Sequence, residues 1–265
     1  SDCLQLQDSV DSFLNYCQIN CLNVNFPKCK VMTITRKLQP INFMYNMNGT
    51  LLDRCDQFKD LGIVVDNKLS FIPHIEYVTN SAMKMLGFII RNATDLHNTH
   101  CIKLLFYTLI RAKLEYCSGV WNPTHNTYIF LVENVVRKFC KCVFFKMFGR
   151  YPAPHCDQKI LFNIVNETSL LSGRNLACLI FLQKIIDGSV HSDTLLSQIN
   201  FIAPRSISRM PQTFHYVIPN SYHHYNSPLL NCFKLCNCLS DKLDISCDQL
   251  HRSKIKKFII LHYSQ

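Results

Sequence analysis

No two aspartates are adjacent anywhere in this 265-residue chain, so the paired carboxylates of two-metal catalysis are missing. Also missing are a glycine-rich phosphate loop, a Gly-x-Ser-x-Gly elbow and a His-Glu-x-x-His helix. By its own residues the chain does not read as a complete enzyme. Glycine (7) and proline (10) are scarce, which excludes a collagen-like or flexible low-complexity chain. Charged residues make up only 17% against 48% hydrophobic, which is not the composition of an intrinsically disordered protein. No apolar run approaches the roughly 18–20 residues of a membrane span; Met85-Leu86-Gly87-Phe88-Ile89-Ile90 is about as long as they get. Acid is scarcer than base: 28 Lys+Arg against 18 Asp+Glu leave a net charge of +10. What remains is a basic, globular chain, long enough for one large domain or two small ones, with no membrane partner expected.

Cysteine, in contrast, is abundant, at fifteen. In a small secreted chain that number would suggest a disulfide scaffold. A chain of this length can build its core without staples, several cysteines fall in helical apolar stripes, and an odd number cannot pair completely. Free, buried thiols in a reducing, intracellular setting are therefore expected. Cys232, Cys236 and Cys238, with Cys247 and His251 downstream, are four-ligand candidates for zinc. Their Cys-x3-Cys-x-Cys spacing is not a Cys-x2-Cys knuckle and would strain a tetrahedral site, so structural cysteines and no metal are expected. The chain starts at Ser1 inside an amphipathic helical pattern, without a secretory signal, and reads as a piece of something longer.

The hydrophobic pattern predicts an α+β fold. Leu6, Val10, Phe13, Leu14 and Cys17 fall on one helical stripe. Val31 to Thr35 reads as a strand, Asn48-Gly49 as the turn of a hairpin, and Phe58 to Val65 as a further strand. From Leu69 the period becomes helical. Ile75, Val78, Ala82, Met85, Leu86 and Ile89 mark one helix; Ile102, Leu105, Phe106, Leu109 and Ile110 mark a second, running toward Leu114. Val132, Val135, Val136, Phe139, Cys140 and Val143 mark a third. The expected layout is a small antiparallel sheet with one helix over 1–66, a three-helix bundle over 67–148, and a mostly helical and irregular region over 149–265. In that last region a helix is predicted from Ser169 to Ile186, ended by Gly188, and a basic terminal helix from Ser253 to Leu261.

The basic excess is clustered. Arg137, Lys138, Lys141, Lys146 and Arg150 occur with no acidic residue between them; Lys28, Lys30, Arg36 and Lys37 form a second group, and Arg252, Lys254, Lys256 and Lys257 a third. Such groups suit the neutralisation of phosphates, which counterion release rewards. The plain alternative is cations on solvated helix faces. Trp121 and Tyr116 suit either stacking on nucleic acid or core packing.

Certain strings are more informative. They run from Asp2-Cys3-Leu4-Gln5-Leu6-Gln7 through Asn20-Cys21-Leu22-Asn23-Val24-Asn25, Lys28-Cys29-Lys30-Val31-Met32 and Phe58-Lys59-Asp60-Leu61-Gly62-Ile63. Leu69-Ser70-Phe71 with His74, Leu86-Gly87-Phe88-Ile89, Arg111, Leu114-Glu115-Tyr116-Cys117-Ser118 and Val120-Trp121-Asn122-Pro123 follow. In this order and spacing the chain resembles the reverse transcriptase of non-LTR retrotransposons, the jockey-like elements in particular, closely over residues 1 to about 145. Tyr16, where the family commonly has Trp, and Val136, where many members have Gln, depart from its pattern.

The resemblance implies that Ser1 lies just downstream of the catalytic Ala-Asp-Asp turn. Residues 1–66 would be the end of the palm, 67–148 the thumb, and 149–265 a C-terminal region of unknown role. It implies RNA-directed DNA polymerase activity for the intact protein only, with magnesium held upstream and no cofactor in this piece. The partners would be RNA template and DNA primer, as an RNA–DNA heteroduplex, and the missing N-terminal fingers and palm. It gives Lys28 the role of a general acid near the leaving pyrophosphate, Leu61-Gly62 that of a primer-grip turn, and Arg137, Lys138 and Lys141 contacts to the heteroduplex backbone. An active element would work in the nucleus at integration. The alternative is a non-catalytic nucleic-acid-binding protein from a decayed or host-adopted element. A structural or protein-interaction role comes third.

Overall fold

The helical period of the first residues forms α1 (Asp2–Ile19) in the computed structural model, which describes residues 2–96, 98–202 and 212–239. The chain divides into two compact units, Ser1–Glu76 and Tyr77–Gln265. In the first, α1 turns Cys3, Gln7, Val10, Leu14 and Cys17 inward, whereas Leu6 and Phe13, expected on the buried stripe, are half exposed. The seam is rotated because Gln7 serves a strand. Its amide donates to the Asn46 carbonyl at 2.9 Å and accepts the Asn46 N–H at 3.0 Å, satisfying both backbone groups at once.

The strands of this unit are β1 (Lys30–Val31), β2 (Asn46–Met47), β3 (Thr50–Leu51), β4 (Asp53–Arg54), β5 (Gln57–Asp60) and β6 (Ile63–Asp66). β2 and β3 form the expected hairpin, with Asn48 and Gly49 both at positive φ (49° and 77°). The run from Phe58 to Val65, expected as one strand, is instead a second hairpin, β5–β6, turning at Leu61 (φ 45°) and Gly62 (φ 90°). Apolar residues continue straight through that turn and hide it. The α+β class holds, but the expected single antiparallel sheet is three separate two-stranded ladders. Each hairpin uses its pairing on itself, leaving β1 to run parallel to β4, where Lys30 and Asp53 form an ion pair at 2.6 Å. The predicted strand from Val31 to Thr35 therefore enters a ladder only at its start.

Asp66 shapes the exit from β6. Its carboxylate accepts the backbone N–H of Phe71 at 2.8 Å and of Lys68 at 3.3 Å. Burial alone would raise its pKa, but the hydrogen bonds outweigh that and hold it below the usual carboxylate range. His74 Nδ1 accepts the Val64 N–H at 3.3 Å, and burial, with the Lys59 charge, lowers its pKa and favours the neutral acceptor.

The helix α2 (Ile72–Asn92) crosses the boundary between the units and buries Ile75, Val78, Ala82, Leu86 and Ile89, as the period predicts. In the second unit α3 (Thr99–Phe106) is capped by Asn98 and continues through a π turn, Tyr107–Arg111, into α4 (Ala112–Glu115). Ile102, Phe106, Ile110 and Leu114 are all fully buried. Their four-residue spacing overshoots an α-helix of 3.6 residues per turn, and the wider π turn takes up the drift, which carries Leu109 out of the core. After α5 (Ser118–Trp121) comes α6 (Asn126–Phe148), with all six predicted apolar positions inside and Phe139 stacked on Phe106 at 3.8 Å.

Beyond residue 149 the chain does not stand apart. α7 (Gln158–Val165) packs on α6, and α8 (Leu170–Ile186) packs on α4, α5 and α6. Ser169 caps α8, and Gly188 (φ 75°) follows its end, as expected. Next come α9 (Asp193–Leu196), an antiparallel pair of β7 (Asn200–Phe201) and β8 (Phe214–His215), α10 (Tyr222–Tyr225) and α11 (Pro228–Leu239). Together α8, β8 and α11 enclose a second core that includes Leu179, Leu182, Phe214, Phe233 and Leu239. The predicted basic helix from Ser253 to Leu261 lies outside the described residues. Among the described residues no single helix is long and apolar enough to cross a membrane.

Candidate nucleic-acid interface

Helix α6 carries the three cations predicted to meet nucleic acid. Gly149 ends it in a left-handed turn (φ 68°), its N–H bonded to the Phe145 carbonyl at 2.8 Å. Opposite the buried stripe, positions 130, 134, 138, 141, 145 and 148 recur at three- and four-residue spacing and form one outward line. On it stand Phe130, Asn134, Lys138, Lys141, Phe145 and Phe148, with Arg137 on the flank. Lys138 is exposed, while Arg137 and Lys141 are half-buried. Among the described residues neither lysine enters an ion pair, and Arg137 Nε is buried with no hydrogen-bond partner.

Not every cation of the predicted cluster shares this face. Lys146 turns back, its Nζ donating to the carbonyls of Ala93 (2.7 Å) and Thr94 (2.6 Å) just past the end of α2. Its charge meets the negative end of that helix, a structural task.

The field of the face depends on where the acids go. Glu133, the one acidic residue of α6, points inward and accepts the N–H groups of Leu170 (3.3 Å) and Leu171 (3.0 Å) at the start of α8. Arg174, fully buried, approaches the same carboxylate at 3.4 Å. Glu167 is also buried, paired with Arg111 and holding the Tyr107 hydroxyl at 3.0 Å. Burial and the Glu167 charge push the Tyr107 pKa up to about 12. Arg111 is further engaged by Glu115 (2.8 Å), the Thr168 carbonyl (3.0 Å) and the Thr168 hydroxyl (3.1 Å). Glu133 and Glu167 pair with arginines in the interior, Glu115 pairs with Arg111 at its edge, and none belongs to the outward line of α6. Along that line itself a polyanion meets lysines, aromatic rings and the neutral Asn134, with no carboxylate.

The other predicted site residues lie in the first unit. Lys28 is exposed at the end of a short 3-10 turn, Phe26–Lys28. Leu61 and Gly62 form the β5–β6 turn, with Leu61 83% exposed. The cations around Lys28 are partly engaged: Lys30 with Asp53, and Arg36 with the Lys68 carbonyl at 3.2 Å. Trp121 is a core residue, 1% exposed, its indole N–H donating to the Tyr116 carbonyl at 2.9 Å; Tyr116 itself is exposed.

All fourteen described cysteines are free thiols. Cys178, Cys232 and Cys236 are buried in the second core, where burial raises the Cys236 thiol pKa. Cys247 and His251 lie outside the described residues. Among the described residues no three His, Cys, Asp or Glu side chains gather in a way that could hold a metal ion, so no step through magnesium is assigned to them. Sequence reasoning missed the aromatic part of the α6 face. Its signal was available in the helical register that Phe130, Phe145 and Phe148 share with Lys138 and Lys141. Compared with protein-family models, curated proteins and solved structures, the chain matches none.

Proposed function

We propose that this chain is the C-terminal part of a non-LTR retrotransposon RNA-directed DNA polymerase, whose helical unit grips the template–primer heteroduplex. The observation that carries the reading is the outward face of α6, cationic at Arg137, Lys138 and Lys141, with its single carboxylate turned inward. The ordered strings of residues 1 to about 145 and the mixed α+β architecture support it. Residues 1–66 correspond on this reading to the end of the palm, and the helices from α2 to α6 to the thumb. Lys28 would give a proton to the departing pyrophosphate, and the Leu61-Gly62 turn would approach the primer end. Magnesium-dependent nucleotidyl transfer belongs to a palm with its own aspartates, so this chain alone extends no primer.

A salt titration of the whole chain against an RNA–DNA heteroduplex, with duplex DNA as comparison, tests the grip. Log affinity falls linearly with log salt, and Arg137→Glu, Lys138→Glu and Lys141→Glu each reduce the slope by about 1. A folded sample that binds neither duplex at low salt overturns the reading. The same face serves a non-catalytic nucleic-acid-binding protein. A reading frame upstream of Ser1 that encodes an Ala-Asp-Asp turn favours the polymerase; a start codon near Ser1 favours the binding protein.

A further inference from the structure

A phosphate-gripping face needs cations and has no use for exposed aromatic rings. Yet the outward line of α6 leaves Phe130 58% exposed, Phe145 40% and Phe148 51%. Single exposed apolar residues are ordinary and need no explanation. These recur at helical spacing on one line, with two lysines between them. Immediately after the helix, the Gly149 turn brings Tyr151 back over α6. Its ring stacks on Phe145 with centroids 4.7 Å apart and planes 29° from parallel, and Tyr151 remains 68% exposed. Arg150, also exposed, lies between the turn and that ring. The line from Phe130 to Phe148 extends about 27 Å at 1.5 Å per residue.

We infer that this face of α6 is a stacking platform for the unpaired bases of a single-stranded polynucleotide. The Phe145–Tyr151 pair and Phe148 would receive bases at one end, Phe130 at the other, and Lys138 and Lys141 the phosphates between. The occupant follows from two complementary properties. The cations without a carboxylate select a polyanion, and the rings select one whose aromatic faces are free. Paired bases keep their faces inside the duplex, so only unpaired ones reach the rings, and any base can stack. Stacking also explains why ring faces stand beside lysines, an arrangement that an acidic protein surface would not need. The inference rests on the proposed function and deepens it: the thumb-like unit would hold a single-stranded stretch adjoining the heteroduplex, of RNA or DNA.

The test uses the whole chain at low salt and three probes: a blunt RNA–DNA heteroduplex, the same duplex with a single-stranded extension, and a free single strand carrying a fluorescent adenine analogue that is quenched on stacking. The extension tightens binding and the analogue is quenched. Tyr151→Ala and Phe148→Ala each weaken binding of both single-stranded probes about tenfold and relieve the quench, leaving the blunt duplex unchanged. Phe148→Leu, which keeps apolar area but removes the ring, behaves like Phe148→Ala. Lys138→Ala and Lys141→Ala weaken all three probes. Blunt-duplex binding with no effect of the ring substitutions on any probe overturns the platform and leaves the grip standing. Ring-dependent single-strand binding without heteroduplex binding does the reverse. Full single-strand binding by Phe148→Leu also overturns stacking at that position. Binding to anionic lipid vesicles but to none of the oligonucleotides overturns the platform in favour of a membrane surface.

Discussion

Arg174 is the most deeply buried cation among the described residues. It is fully buried and reaches Glu133 through one nitrogen at 3.4 Å, while its Nε and Nη1 have no partner. Burial lowers its pKa, against the pull of Glu133 and Glu115. Such a pair recovers little of its desolvation cost, and the two partners are not equivalent. Glu133 has other bonds, to the N–H groups of Leu170 and Leu171; Arg174 has no second carboxylate within ion-pair distance among the described residues. Arg174→Met is therefore expected to leave stability within about 1 kcal/mol of the parent or to raise it, since it fills the space without a buried charge. Glu133→Ala is expected to cost about 3–5 kcal/mol, because it strands a buried guanidinium and takes the carboxylate from the Leu170 and Leu171 amides. Urea unfolding of the two variants measures both. A larger loss for Arg174→Met than for Glu133→Ala would show the guanidinium itself to be stabilising.

Among the elements, the β5–β6 hairpin contains a conflict between conformation and residue type. Two-residue turns with both residues at positive φ favour Asn-Gly, as the β2–β3 hairpin has at Asn48-Gly49. The second hairpin has Leu61 at φ 45°, where a leucine costs roughly 1–2 kcal/mol. Leu61→Asn is expected to stabilise this hairpin by about 0.5–1 kcal/mol, read as slower hydrogen exchange across β5 and β6. The same substitution removes an 83% exposed side chain that the proposed function sets near the primer end. Heteroduplex affinity is then expected to fall several-fold although stability rises. Unchanged affinity would take Leu61 out of the interface.

At the scale of the whole molecule, the helical unit depends on residues beyond its three predicted helices. Arg111, on the π turn, is satisfied by Glu167, Thr168 and Ser169, and Glu133 on α6 by the first amides of α8. Tight packing joins the same segments: at Gly173 on α8 an added Cβ would collide with Glu115 Oε1. A chain ending at Phe148 would leave Arg111 and Glu133 with most of these bonds broken and one side of the bundle uncovered. It is expected to show no cooperative thermal transition by circular dichroism, whereas the full chain does. A cooperative transition of the shortened chain would show the bundle to be independent of α7 and α8.

Much of the architecture follows from local pattern. The six apolar positions of α6, the stripe of α2, the Asn48-Gly49 turn and the Ser169 and Gly188 ends of α8 are legible because period, turn chemistry and capping are properties of a few consecutive residues. The α6 cations were legible as a cluster for the same reason. Which of them remain at the surface was not. Lys146 lies in that cluster by sequence, yet it meets carbonyls of residues 93 and 94, and Glu133 meets amides of residues 170 and 171. Tertiary packing likewise turned Gln7 inward in place of Leu6 and Phe13, and folded the Phe58–Val65 run into a hairpin. Backbone periodicity is written into neighbouring residues, whereas the partner of a charge or of an orphan N–H is chosen among groups far apart in the chain. Only the folded structure brings those groups within hydrogen-bonding distance.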